Sequence, residues 1–474
     1  MNNISESGLK VTKNYLWLGS RHLITTGFLA AVGVYLTRTL GPESYGLYML
    51  CYYVVSFTAL VGDSGLRLYG TRQVAQADDN EELIAFQICM VRMFVGVVVV
   101  VVASMSILVL PVDTHYATAM ATMVLWVIPY QLNLDWAYQG MQKLSIPTIT
   151  NTFLGVILLI TCLLFVSSPS DTVLAIICLV SSSSAAYIFQ GTHFLIMCKK
   201  RTKLLIPSVS TIIIHYKRAF LIGLSGVIIN LYYHTDSILI GFMHGNVEVG
   251  IYSAAYQIVL PIVSLGAMLG YSAYPVYSRL INNMASDSVR SDSVRSVFAI
   301  GIGIGLPISI FITLVSNDVI SILYGGAYHD SAKVLGILIW NVFTVFCNVA
   351  FAFYLLSSGM NKQYLLAAAI GFGMNLVVNL ILIPEFSTTG ASVATIITEF
   401  TVLILLTYFC SKVVKFNLWN DIFKTLICST GMAFTVLIFT SHIAVSVILG
   451  VISYFALSIF LNSPLYIEVK RIIR

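Results

Sequence analysis

The sequence predicts an all-α polytopic membrane protein of about 14 transmembrane helices, two six-helix bundles in a pseudo-twofold arrangement followed by two C-terminal helices. Three observations predict it. The 474 residues are 58% hydrophobic and only 9% charged, a balance that a water-soluble core of this size could not keep in solution. The apolar residues gather into runs of about 20, the length a helix needs to cross the hydrocarbon of a bilayer. The basic residues fall almost entirely into alternate gaps between those runs.

In chain order, the first six spans run over about 14–36, 45–66, 83–110, 115–138, 146–168 and 172–197. The next six run over about 219–243, 247–278, 297–316, 332–357, 363–384 and 388–410, and two more follow at about 419–440 and 442–462. The expected domains are therefore an N-terminal six-helix bundle (1–198), a cytoplasmic basic connector (199–218), a C-terminal six-helix bundle (219–411), and two additional helices with a cytoplasmic tail (412–474). The short polar stretch Met1 to Lys13 precedes an apolar run with no small-residue cleavage site, so no cleaved signal peptide is expected. All eight cysteines, at 51, 89, 162, 178, 198, 347, 410 and 428, are isolated in apolar segments or at their ends and read as buried small hydrophobes.

Orientation follows from lysine and arginine, which cytoplasmic loops retain during insertion. With the N-terminus inside, 21 of the 25 basic residues fall on the cytoplasmic side, six of them in the connector between Lys199 and Arg218. The outer loops keep only Arg38 and Lys333, and Arg21 and Arg92 lie within spans. Both termini are thus expected in the cytoplasm.

Two motif echoes point to an internal duplication. After span 1 the chain reads Gly41-Pro42-Glu43-Ser44-Tyr45-Gly46-Leu47-Tyr48, and after span 7 it reads Gly245-Asn246-Val247-Glu248-Val249-Gly250-Ile251-Tyr252. After span 4 comes Gly140-Met141-Gln142-Lys143, and after span 10 Gly359-Met360-Asn361-Lys362. A displacement of six spans preserves orientation, so the halves are expected to be parallel repeats. Between spans 8 and 9, Ser-Asp-Ser-Val-Arg occurs twice in tandem, at 286–290 and 291–295, and reads as a small duplication in a tolerant loop.

Signatures of covalent chemistry are nearly absent. The eight histidines show no metal-ligand spacing, and the outer loops are too short to build a sugar-processing domain, so neither catalysis nor a cofactor is expected. Gly301, Gly303 and Gly305 lie inside an apolar span and read as close helix packing rather than a nucleotide loop. Nucleic acid is set aside as a partner, because the net charge of +5 follows from loop topology.

Ionisable groups inside the spans remain, each costing about 2.5 to 3.5 kcal/mol on insertion scales. Arg21 and Arg92 sit ~12 to 14 Å from the cytoplasmic ends of their helices at 1.5 Å per residue. They are candidates to line an inward cavity and bind a phosphate or diphosphate through forked hydrogen bonds, the alternative being pairing to carboxylates or helix carbonyls. Glu399 lies near the middle of span 12 as a candidate proton carrier or a buried tie between helices. Asp236, beside Tyr232, Tyr233 and His234, is a candidate to meet sugar hydroxyls or a coupling proton. Asp63 precedes Arg67 by four residues, a spacing that predicts a local ion pair, and Asp135 reads as structural near the inner surface.

Several of these stretches resemble the polysaccharide flippases often called Wzx or O-antigen transporters, within the superfamily of multidrug, oligosaccharidyl-lipid and polysaccharide exporters. The resemblance is carried by Leu40 to Gly46, Gly62 to Leu66, Tyr69-Gly70-Thr71-Arg72, Asp135-Trp136 with Gln139-Gly140, Pro275 with Ser278-Arg279, and Ile383-Pro384 through Thr389-Gly390-Ala391-Ser392 to Thr398-Glu399. It covers roughly residues 14 to 410. It implies two six-helix bundles facing a central cavity that opens alternately to either side of the bacterial inner membrane. The implied cargo is an undecaprenyl-diphosphate-linked oligosaccharide, for O antigen or a similar surface polysaccharide in lipopolysaccharide biosynthesis. Membrane lipids and the polysaccharide polymerase and chain-length machinery are the implied partners. Arg21 matches the cavity arginines found on this helix in related lipid II flippases, whereas Arg92 is carried over by position only. Rival readings are an ion-coupled multidrug exporter of the same superfamily and a membrane glycan polymerase or ligase.

Overall fold

A backbone in hydrocarbon has no water to bond and must satisfy itself within its own segment. The computed structural model follows that rule: its regular elements are all helices among the described residues. It describes the backbone of residues 2–77, 80–109, 113–199, 209–439 and 443–473, and the side chains of 25–77, 80–109, 113–198, 213–219, 234–439 and 445–471. The chain forms two compact units, Met1–Gly250 and Ile251–Arg474.

The first unit holds α1 (Asn2–Asp63), α2 (Leu66–Ala75), α3 (Glu81–Val109), α4 (Thr114–Val124), α5 (Val127–Leu132), α6 (Asp135–Gly140), α7 (Ser145–Phe165), α8 (Thr172–Lys199) and α9 (Val209–His244). Helix α10 (Asn246–Asn282) begins in it and continues into the second unit. The second then holds α11 (Asp287–Leu314), α12 (Ser316–Tyr324), α13 (His329–Leu338), α14 (Trp340–Ser357), α15 (Asn361–Ser411), α16 (Trp419–Ile438), α17 (Ile443–Phe460) and α18 (Pro464–Ile473).

Among the described residues nine helices are long and apolar enough to cross a membrane, ten if the bent pair Val445–Phe460 and Pro464–Arg471 counts as one. Two of them carry two spans each. Helix α1 is interrupted only at Gly41 (φ 73, ψ 172) and α15 only at Ser387 (φ 48, ψ −128), so each pair of expected spans is joined by a single residue. With α9 and the broken series α4 to α6, the fourteen-span reading is complete, and the protein is a multi-pass membrane protein. Its outer surface agrees, since Val102, Leu108 and Val109 of α3 stand exposed where a soluble helix would place charge.

Two expectations change. Span 4 is not one helix: it breaks at Leu125–Trp126 and again at Asn133–Leu134, either side of a six-residue helix containing Pro129, which has no N–H to give the ladder. The tandem Ser-Asp-Ser-Val-Arg repeat is not a loop. From Asp287 it forms the first turns of α11, which extends well beyond its apolar part, and charge density there marks a solvated helix end rather than a break in the helix. The connector 199–218 lies partly outside the described residues, and from Val209 it is already helix. That helix is held to the corner between α1 and α2 by contacts of Tyr216 with Ser64 (2.8 Å) and His215 with Tyr69 (3.2 Å).

Small residues set the close approaches. A Cβ at Gly301 would strike the carbonyl of Phe346, and one at Gly305 would come within 3.1 Å of Phe343 and Phe346, so this edge of α11 lies directly on α14. Gly303 faces the other way, meeting Leu465 of α18 and accepting the Tyr454 hydroxyl at 2.6 Å. The glycine alternation is therefore helix packing on two sides. All eight cysteines are buried, and none forms a disulfide.

The first motif echo acquires a geometry. Gly41 and Gly245 both adopt positive φ, 73° and 88°, and each starts the next helix. A Cβ at Gly46 would fall on the carbonyl of Asn246, and one at Gly250 would fall on the carbonyl of Pro42. The two copies cross backbone on backbone, position two of each against position six of the other, a reciprocal contact like that of a twofold interface. The second echo turns differently, with positive φ at Gln142 in one copy and at Gly359 in the other.

Candidate functional site

Three buried charges of the first unit, Asp63, Arg92 and Asp135, gather at the broken span. Helix α1 ends at Asp63, and Ser64 (φ 43) and Gly65 (φ 78) reverse the chain into α2, so Asp63 and Arg67 do not share a helix. The expected four-residue pair is lost as a direct contact. Asp63 instead accepts Nε of Arg92 at 2.9 Å, and Arg67 donates to the Tyr130 hydroxyl at 3.0 Å.

Arg92 is fully buried, and its other two nitrogens are engaged as well. Nη1 donates to the carbonyl of Asn133 at 2.6 Å and Nη2 to that of Tyr130 at 3.2 Å. Both carbonyls belong to the end of α5, so the guanidinium caps an interrupted helix at its negative pole while neutralising Asp63. The Trp136 ring lies beneath it, 5.9 Å from the centroid. This is the pairing to a carboxylate and helix carbonyls, and it leaves Arg92 enclosed.

Asp135 opens α6 and is held by two amides. Gln190 donates to Oδ1 at 2.8 Å and Asn151 to Oδ2 at 3.0 Å, while Gln190 Oε1 accepts the Leu134 N–H at 2.8 Å. The second break is thus supplied with the hydrogen bonds its backbone lacks. The Tyr69 to Arg72 stretch and the Asp135 to Gly140 stretch, far apart in sequence, pack on one another here. Gly70 leaves room for the Trp136 indole, Gly140 lies against the Thr71 carbonyl and Val74, and Thr71 Oγ1 donates to the Trp136 carbonyl at 3.0 Å.

Toward the opposite end of the unit, α1, α3 and α4 splay around a cavity of about 1280 Å³. Its walls are apolar, and its charged lining residues are Glu43 and Asp113. Arg92 does not line it.

The other predicted residues are dispersed. The side chains of Arg21 and Tyr233 lie outside the described residues. Asp236 is buried in α9, two residues after His234, whose ring lies 4.9 Å from that of Tyr53. Glu399 is buried in the second arm of α15 and accepts Nδ2 of Asn348 at 3.3 Å. Asn375 and Asn379 on the first arm of α15 bond each other at 3.0 Å and add to a buried amide strip in the second unit. Sequence reading passed over these amides. Their signal was available: Asn133, Asn151, Gln190 and Asn348 all stand in apolar stretches.

The family model described as polysaccharide biosynthesis protein matches residues 11–281, and the MatE model matches residues 222–381. A protein of Escherichia coli (strain K12) named as an O-antigen transporter is 24% identical over 390 residues, 79% of this chain and 90% of that protein. One of Shigella dysenteriae with the same name is 23% identical over 300 residues, 62% of this chain and 74% of its own length. Among solved structures, the lipid II flippase MurJ in an inward closed conformation has a TM-score of 0.71 at 12% identity, covering 95% of this chain and 99% of that one. An inward-facing multidrug resistance MATE family transporter of the MOP superfamily has a TM-score of 0.65 at 13% identity, covering 84% and 97%. At those identities the likeness establishes the fold.

Proposed function

The chain belongs to the polysaccharide biosynthesis protein family, and from that premise we propose that it is a flippase carrying an undecaprenyl-diphosphate-linked oligosaccharide repeat unit across the bacterial inner membrane. The observation that carries this reading is the alignment of 390 residues, most of the chain, with a protein named for O-antigen transport. The fold supports it, being of the kind found in a lipid II flippase. The physical task is to move polar sugars and a diphosphate through hydrocarbon while the polyprenyl tail stays in lipid, and alternating access of a cationic cavity meets it. In this reading both termini lie in the cytoplasm, which the sorted charges favour, with the polymerase and chain-length machinery acting after transfer.

In this reading Arg21 holds the diphosphate, and Tyr233 and Asp236 meet the sugar hydroxyls. Arg92, enclosed by Asp63 and two carbonyls, supports the site by fixing α1, α3 and α5 relative to one another. Glu399 and Asp236 carry the coupling ion or proton, the bond from Asn348 orienting the Glu399 carboxyl.

Deleting the gene in its host is expected to accumulate undecaprenyl-linked repeat units, measured by mass spectrometry of extracted lipid. Expressing Arg21→Ala at normal abundance should leave that accumulation in place, with Arg21→Lys restoring transfer in part, because an ammonium lacks the fork. Unchanged repeat-unit levels on deletion would sink the flippase reading. Glu399→Gln should remove any dependence of transfer on the proton gradient in reconstituted vesicles, and an unaltered gradient response would leave Glu399 as a tie between helices. The MatE match over residues 222–381 favours a second reading, ion-coupled drug export. Deletion that raises drug sensitivity with no change in lipid-linked glycan would support it.

A further inference from the structure

The cavity of the first unit is shaped and charged for something other than a diphosphate. Its depth is bounded by Leu50, Val54, Val98, Val102, Met120 and Val124, and the Thr58 and Ser106 hydroxyls beside them are donated to carbonyls of their own helices, so the lining is mainly apolar. It closes where Gly62 and Gly96 let α1 and α3 meet the Gln131 side chain. Val61, Val98, Val102 and Phe242 in its lining are 43%, 46%, 58% and 76% exposed, so the trough presents open apolar surface on a membrane-spanning unit. An apolar chain can therefore enter from the bilayer without crossing water.

The mouth of the cavity is where the charge lies. Glu43 and Ser44 follow the turn at Gly41, Asn246 follows the turn at Gly245, and Asp113 and His115 stand at the start of α4. The crossing of Gly46 and Gly250 backs this mouth with rigid backbone. Asp113 accepts the His115 N–H at 3.0 Å as the helix N-cap, and Glu43 is exposed. Among the described residues neither lysine nor arginine lines the cavity, so its charge is that of two carboxylates. An amphiphile seated here gains from a cationic head and is repelled if its head is only anionic.

We propose that this cavity binds an aminophospholipid, its acyl chain lying along the α1–α3 trough and its ammonium group meeting Glu43 and Asp113. The ammonium complements the acidic mouth, and the adjacent phosphate is left toward Ser44 and Asn246, whose side chains donate hydrogen bonds without charge. A polyprenyl diphosphate has a tail for the trough but brings at least two negative charges to an acidic mouth, which separates this site from any cargo site. The inference requires only that the chain lies in a bilayer, so it stands apart from the transport reading.

The test is native mass spectrometry of the full-length protein in mild detergent, titrated with dioleoyl phosphatidylethanolamine or dioleoyl phosphatidylglycerol. The first equivalent of the ethanolamine lipid should be retained at lower concentration than that of the glycerol lipid. The double variant E43Q/D113N should weaken the ethanolamine lipid by roughly five- to tenfold, the size expected from losing partly desolvated charge contacts, and should tighten rather than weaken the glycerol lipid, whose repulsion it removes. Asparagine keeps the α4 cap, and E43Q alone, at an exposed position, should lose part of the preference with folding undisturbed. Val102→Trp, which fills the trough, should remove one equivalent of bound lipid. Equal retention of the two lipids by the unmodified protein would overturn the proposal, as would full ethanolamine preference in E43Q/D113N. Displacement of the bound lipid by undecaprenyl diphosphate from the unmodified protein, but not from Val102→Trp, would also overturn it, since the trough would then hold the tail of an anionic lipid.

Discussion

Each unit is laced by an arginine–aspartate pair, and the two pairs are built in opposite ways. In the first unit Arg92 and Asp63 are both enclosed, their side chains 0% and 4% exposed, and the arginine spends its remaining donors on carbonyls. In the second, Arg295 grips Asp421 with Nε and Nη2 at 2.5 and 2.8 Å, yet the arginine stays 42% exposed while the aspartate is 3%. Removing one partner of the first pair strands a charge with no route to water. Removing Arg295 leaves an acid that opens toward solvent along the face its partner vacates. Charge content is the same in both, and depth decides which pair the fold depends on.

The largest effect should come from Arg92→Ala. It leaves Asp63 buried and the end of α5 uncapped, a loss of about 3–5 kcal/mol for a broken buried pair. Little folded protein should survive purification, as read by fluorescence-detected size exclusion with a temperature ramp. The paired variant Asp63→Leu/Arg92→Leu should recover more folded material than either single change, because no charge is stranded. A single Arg92→Ala that melts like the unmodified protein would erase the contrast between the two units.

The same contrast shows what the sequence could and could not display. Span number followed from composition, because about 20 apolar residues in a row have few alternatives in a bilayer. Glycine packing at 301, 303 and 305 followed from small residues in an apolar run. The partner of Arg92 did not. Asp63 stands 29 residues away and its chain neighbour Arg67 offered the cheaper pairing, until the reversal at Ser64 and Gly65 removed it. The other partners are backbone carbonyls, which residue types do not announce, and they are available because span 4 breaks at Asn133, where hydropathy runs on. Glu399 was visible as a buried acid, but its Asn348 contact, 51 residues earlier, depends on how α14 packs on α15.

A smaller loss is expected from Arg295→Ala, on the order of 1–2 kcal/mol, since Asp421 loses two charge-assisted bonds but gains access to water. Arg295→Lys should recover part of it, because one ammonium replaces the fork at a single point. The same melting measurement reads both. A loss as large as that of Arg92→Ala would show that Asp421 is trapped as deeply as Asp63, and the two pairs would be equivalent.

The smallest effect isolates environment from sequence. Arg290 and Arg295 close the two copies of Ser-Asp-Ser-Val-Arg on one helix, so their local sequence is the same. Five residues at 3.6 per turn place them about 140° apart around the axis. Arg295 therefore reaches α16, whereas Arg290, itself 26% exposed and also in contact with the Tyr354 hydroxyl, turns back to Asp287 at 2.5 Å, an aspartate whose side chain is 78% exposed. The contact with so exposed an aspartate at that spacing contributes about 0.2–0.5 kcal/mol and weakens with salt. Arg290→Ala should shift melting by less than Arg295→Ala does, and the shift should shrink further as salt is raised through a Debye length of about 3 Å at 1 M. Equal shifts for the two arginines would mean that the duplicated peptide, rather than the aspartate buried opposite one copy, sets the strength of the contact.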